Sequence, residues 1–253
     1  GGRLDLRGRD QTVASLASAE NAVGNIQNYS ISTASTLTIS GSSDTTFGLV
    51  IGKVAEADGG DGVVNLVRDG AGSTTLTAAN TYTGTTTING GTLLVNGTHT
   101  GGGGYSVSGG SLGGIGTVTA DVTNNTGGTV APGESTGVFT VDGNFNNLGT
   151  LAVELGGMLP GDEFDVLHVQ NGDANLGGVL SVDLLGDFRP PSGTSFEIVT
   201  VSGGSLTNNG MTLGGADGSL FRLDFNDGAG AMLLISEIPE PATVALFGMA
   251  GLF

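Results

Sequence analysis

Residues 66–97, LVRDGAGSTTLTAANTYTGTTTINGGTLLVNG, decide the fold. Within them Ser73–Thr77, Thr85–Asn89 and Thr92–Asn96 alternate apolar or β-branched residues with small polar ones, and Gly, Asn and Asp separate the three runs. A period of two is the pattern of half-buried strands. No helical period competes with it.

The end of this stretch recurs. Gly-Gly-Thr-Leu at 90–93 returns as Gly-Gly-Ser-Leu at 109–112 and Gly-Gly-Thr-Val at 127–130. Weaker echoes are Leu-Gly-Thr-Leu at 148–151, Gly-Gly-Val-Leu at 177–180 and Gly-Gly-Ser-Leu at 203–206. The second position falls at 91, 110, 128, 149, 178 and 204, nearly evenly at first and more widely later. Self-similarity at roughly 20–30 residues marks a stacked repeat. The reading is all-β: a parallel β-helix in which each repeat is one coil stacked on the next. Leu, Val and Ile after the glycines are expected inside, with Thr and Ser facing water. Nine or ten coils at the sheet spacing make a rod about 40–50 Å long.

Composition agrees. Glycine supplies 49 of 253 residues, against about 7% in an average chain. With six prolines and no three-residue glycine period, a collagen triple helix is excluded. The net charge of −17 argues against nucleic acid or an anionic membrane surface as partner, since both need clustered Lys and Arg. There is no Cys, which leaves the redox compartment open. The chain starts at Gly1 without a visible signal peptide, as in a mature form or a fragment.

Four regions follow. Residues 1–23 form an N-terminal segment or cap; 12–23 read as either a helical turn or a first strand, and Arg3, Arg7 and Arg9 read as a solvated chain end beside Asp5 and Asp10. Residues 24–160 are the β-solenoid, with its core at 66–97. Residues 161–237 are either irregular continued coils or a β cap, which the last coil of a solenoid requires. Residues 238–253 change character: a Pro-Glu-Pro break precedes an uncharged run, Ala242–Phe253, shorter than the roughly 20 residues of a membrane helix. That run reads as a truncated membrane anchor.

Several residues invite chemistry. Asp58, Asp61 and Asp69 raise a calcium site, but Asp-Gly turns explain them adequately and no Gly-Gly-x-Gly-x-Asp repeat is present. The four-glycine run 101–104 reads as a flexible turn between coils. His99 is expected in a loop and His168 within a strand, each a surface or structural residue, since neither has a partner at metal-ligand spacing. Asp162, Glu163 and Asp165 read as a solvated turn rather than converging carboxylates. No Asp-Asp pair, Gly-His-Gly or Asn-Thr-Asp of the polygalacturonase-like enzymes is present. The sequence assigns no catalytic, cofactor or metal residue.

Two resemblances emerge from these residues. Gly70-Ala71-Gly72, Leu76, Asn80, Tyr82-Thr83-Gly84 and Gly90-Gly91-Thr92-Leu93 resemble the autotransporter-associated β-strand repeat of bacterial passenger domains, and residues 131–143 resemble the proline–glycine coil that often follows. This implies a right-handed parallel β-helix at the cell surface. Pro239, Glu240, Pro241, Ala242 and Thr243 with the apolar run resemble the PEP-CTERM sorting signal, without its full helix and basic end. That resemblance implies export by a Gram-negative bacterium, recognition by an exosortase, transient C-terminal membrane anchoring, and an exopolysaccharide or biofilm setting. The expectation is a non-enzymatic surface or matrix protein whose lateral face binds polysaccharide or a neighbouring cell. The alternatives are an adhesin passenger cut from an autotransporter, whose outer-membrane barrel is not among these residues, and a β-helical polysaccharide-degrading enzyme.

Overall fold

The computed structural model describes residues 2–53, 62–226 and 230–238. Its strands build three long faces. The first face has nine strands, from Gln11–Val13 to Leu206–Asn208; the second has eight, from Thr45–Phe47 to Thr212–Gly214. The third also has eight, starting at Ala79–Asn80. A three-stranded sheet of Gly2–Asp5, Gly24–Gln27 and Val50–Ile51 lies next to its start, where Thr81 and Tyr82 donate N–H groups to the Ile51 carbonyl. One coil is Thr86–Ile88, Thr92–Val95 and Thr98–His99, one strand per face. This is a parallel β-helix, consistent with the right-handed connection that parallel crossovers take. Nine strands at about 4.8 Å make the first face roughly 40 Å tall.

The pairing register shows why the glycine motif repeats. Thr92 lies between Ser73 and Ser111, Ser111 next to Thr129, Thr129 next to Thr150, and Thr150 next to Val179. Five motifs therefore stack on the second face. The sixth, 203–206, does not: Leu206 pairs with Ala174 on the first face, and Thr212 continues the second face by pairing with Val179. The slip has a physical source in coil length. Leu66 pairs with Thr86, Thr86 with Tyr105 and Tyr105 with Val122, so the coils between 66 and 122 are short and nearly equal. Val122, Phe145, Ala174 and Leu206 then succeed one another at steadily growing separations. Fixed spacing no longer finds the right face.

Alternation places the core. Leu93, Leu112, Val130, Leu151 and Leu180 form a fully buried column along the second face. Thr and Ser do not all face water: Ser35, Thr74 and Thr86 are buried. Farther along, Asn124 and Asn147 are adjacent and fully buried. The Asn124 Nδ2 donates to Asn147 Oδ1 at 2.7 Å, and the Asn147 Nδ2 donates to the carbonyls of Gly149 and Gly177. Replacing Asn147 with Ala removes these bonds and leaves the Asn124 Nδ2 only the Thr150 carbonyl, so chemical denaturation should show a loss of about 1–2 kcal/mol.

A second ladder runs along the outer corner before the first face. Asp121 Oδ1 accepts the Asn144 N–H, Asn144 Oδ1 accepts the Asp173 N–H, and Asp173 Oδ1 accepts the Ser205 N–H, each at 2.8–3.0 Å. Each side chain ties its coil to the next. The Ser205 N–H and hydroxyl hold the Asp173 carboxyl below the usual carboxylate range.

At the N-terminal end, residues 12–23 contain the end of the strand Gln11–Val13 and then irregular chain tied to the second face, with the Ser18 N–H on the Thr46 carbonyl. At the other end the parallel order stops. Ser195–Ser202 pairs antiparallel with Ala231–Ser236, which pairs antiparallel with Phe221–Asn226.

Candidate functional site at the loop corner

The added length of the later coils emerges mainly at the corner between the second and third faces, as loops 133–137, 156–165 and 185–194. Loops stacked on one edge of a repeat scaffold are where binding surfaces form. Here they interlock. The Thr136 hydroxyl donates to the Asp162 carbonyl at 2.7 Å, and Asp165 Oδ1 accepts the Gly137 N–H at 2.8 Å. The other Asp165 oxygen accepts the Glu154 N–H at 2.8 Å.

The three acids read as a solvated turn are not equivalent. Glu163 Oε2 accepts the N–H groups of Met158 and Leu159, closing its own loop. Asp165 is buried, and burial pushes its carboxyl up to about 7, against the two backbone donors that favour its ionised form; the nearby Glu154 charge also raises it. Asp162 contributes its backbone carbonyl to Thr136. Two of the three therefore act as internal acceptors, because a long excursion from the coil must find partners for its own amides.

A different set of acids does meet. Glu154 and Asp183 are direct register partners on the second face, about one strand spacing apart. With Glu134 and Asp165 they line a cleft of about 120 Å³ floored by Pro132 and Ala152. Glu134 Oε1 accepts the Asn96 Nδ2 at 2.7 Å, and Glu154 Oε2 accepts the Ser135 hydroxyl at 3.2 Å. The Glu154–Asp183 neighbourhood escaped the sequence reading, yet a signal existed. Each acid stands five positions after the aligned glycine of its motif, Gly149 or Gly178. Beside the cleft, Met158 and Leu159 are about half exposed at the loop tip, with Ile115 and Val138 on the same corner. The cleft offers negative potential and hydrogen-bond acceptors. Among the described residues no group of three or more His, Asp or Glu is placed to share a metal ion.

The remaining candidates fall elsewhere. His99 lies in the strand Thr98–His99 and is fully buried, not in a loop, because its ring fills the coil interior beneath Tyr82. His168 is in Val166–Gln170 on the outside of the third face, with Nδ1 at 2.7 Å from the Thr200 hydroxyl. The Asp5 carboxylate accepts the Arg7 Nε–H and the Tyr29 N–H, and Asp10 accepts the Thr36 N–H. Arg3 donates to the Tyr29 hydroxyl. Arg3 and Arg7 thus sit among local acceptors. Asp58 and Asp61 of the calcium reading, and all of Pro239, Glu240, Pro241, Ala242 and Thr243, lie outside the described residues.

Residues 66–95 match the family model of the passenger-associated transport repeat. This agrees with the first resemblance and supports a passenger-like β-helix of the autotransporter type. A passenger-type repeat implies an exported or surface protein. No curated protein matches the chain. The matched residues run from within the strand Val64–Arg68 to the end of Thr92–Val95, more than one coil. They sit mid-stack, continuous with coils that the family model does not cover.

Proposed function

We propose that the protein is a non-enzymatic, exported β-helix of the cell surface or extracellular matrix. It acts as a rigid scaffold or adhesion surface in an exopolysaccharide or biofilm setting. An exosortase-type enzyme sorts it through Pro239, Glu240, Pro241, Ala242 and Thr243. The observation that carries the reading is the passenger-type repeat in register within an unbroken parallel stack. Such a rod presents fixed rows of Ser, Thr and Asn over its length, suited to many weak contacts with a polymer. The non-enzymatic part is supported by the acids of the loop corner, where Asp165 and Glu163 are engaged by backbone N–H groups rather than left to act on a substrate.

The sorting claim is tested in a Gram-negative host that has an exosortase. Changing Pro239, Glu240 and Pro241 to Ala together should leave an unprocessed precursor and deplete the surface-associated form, read by immunoblot of fractions. Unchanged processing would sink exosortase sorting while leaving the passenger reading intact. Glu154 and Asp183 favour one alternative, a polysaccharide-degrading enzyme, since their outward carboxylates adjoin a cleft. Release of reducing sugar from acidic or neutral glycans, lost on Glu154→Gln, would establish that alternative.

A further inference from the structure

Inside the coil that begins within the matched repeat, four polar side chains close on one another. The His99 ring stacks on Tyr82 with centroids 4.0 Å apart and planes 18° from parallel. Its Nε2 lies 2.8 Å from the Tyr82 carbonyl, which can only accept, so Nε2 carries the proton of the neutral ring. Nδ1 then accepts from the Tyr105 hydroxyl at 3.0 Å. Tyr82 Oη is 2.7 Å from the Thr86 hydroxyl and 3.3 Å from Tyr105 Oη. All four side chains are buried.

Among the described residues the surroundings supply no counter-charge. The strand Ala79–Asn80 lies on one side of His99 and Thr117–Val118 on the other, neither bearing a charged residue. The Asn80 amide is already occupied with the Ile51 N–H and the Ala78 carbonyl. From the first face come Thr86 and Tyr105, and from the preceding corner Tyr82. The facing titratable groups are therefore two tyrosines, both pushed above their ordinary range by burial and neutral at moderate pH. Arg68 is anchored elsewhere, on carbonyls of Ile39, Gly41 and Gly72.

We infer that this coil, Asn80 to Tyr105, is an acid-sensitive joint: when His99 takes up a proton the coil loosens, while coils on either side stay folded. Among the described residues a charged imidazolium here has no carboxylate to offset its lost hydration. Each coil in a solenoid is held only by its two neighbours, so opening can be local. Burial lowers the His99 pKa, with the Tyr82 carbonyl opposing in part. The unfolded imidazole therefore binds protons more tightly than the folded one. Stability is complete above about pH 6.5 and falls as pH drops below that value.

The chain has only two histidines, so the experiment is clean. Imidazole proton NMR, with the His99 signal assigned through His168→Gln, should show His99 resisting protonation below pH 6.5. Hydrogen exchange, corrected for the intrinsic pH effect, should show residues 98–107 opening up to about 30-fold more at pH 5 than at pH 7.5. His99→Gln should abolish that increment and His168→Gln should retain it. A His99 midpoint at or above 6.5 overturns the inference, whether or not the variant folds. So do identical wild-type and His99→Gln profiles, or acceleration spread evenly over all coils.

Discussion

Replacing Arg68 with Ala lowers the stability of the protein by about 3–4 kcal/mol, while replacing it with Ile is close to neutral. Arg68 is fully buried at the corner between the first and second faces. Its Nη1 donates to the Ile39 carbonyl at 2.9 Å, and Nη2 donates to Gly41 at 3.0 Å and to Gly72. Alanine removes these charge-assisted bonds and opens a cavity in a column with nothing to refill it. Isoleucine fills the space. Its register neighbours are Ile39 and Ile88, which already show that the position takes that shape. The carbonyls of Ile39 and Gly41 keep partners in the N–H groups of Asp69 and Gly72. Meanwhile the Arg68 Nε, buried with no acceptor, is removed. Equilibrium unfolding in urea separates the two variants. Equal losses would show that the charge, not the volume, holds this corner.

Gly101→Ala is expected to lower Tm by roughly 6–12 °C, whereas Gly104→Ala leaves it nearly unchanged. A Cβ on Gly101 would overlap the Tyr82 carbonyl oxygen, and one on Gly103 would overlap that of Gly84. Both obstacles are backbone of the preceding coil, so relief requires the coils to part. At Gly104 the nearest atom is 3.6 Å away, an ordinary contact. The glycine run is therefore not a flexible turn but a close approach of two coils. The Gly101 clash falls on the same carbonyl that receives the His99 Nε2, so the variant should also disturb the buried network. A thermal scan in which both variants behave alike would refute the close-approach account.

Two buried groups modulate the pH response in opposite senses. His99 weakens the fold as pH falls below about 6.5. Asp165, raised to about 7, is held protonated more tightly in the folded protein than in the unfolded chain. Its contribution is present in acid and is lost as pH rises from the ordinary carboxylate range through about 7. Comparing His99→Gln and Asp165→Asn with wild type across pH 5–8 resolves the two by sign.

The sequence by itself determined the strands and their stacking, because alternation and glycine spacing are local properties of the chain. The strands at Ser73–Leu76, Thr86–Ile88 and Thr92–Val95 lie within the runs read from 66–97. The column Leu93, Leu112, Val130, Leu151 and Leu180 follows from the glycine motif that precedes each of its members. Beyond Val122 the coils lengthen, and the motif at 203–206 moves to another face with no local mark of the change. Only the tertiary structure could decide which side chains meet across coils. His99, Tyr82 and Tyr105 are brought together by coil winding, Glu154 and Asp183 by pairing across one long coil, and Asp165 by the folding of its own loop. Interior polar residues such as Arg68 and Thr86 look like surface ones in sequence. What separates them is the parity of their position on a strand, and parity becomes burial only once neighbouring coils close the wall.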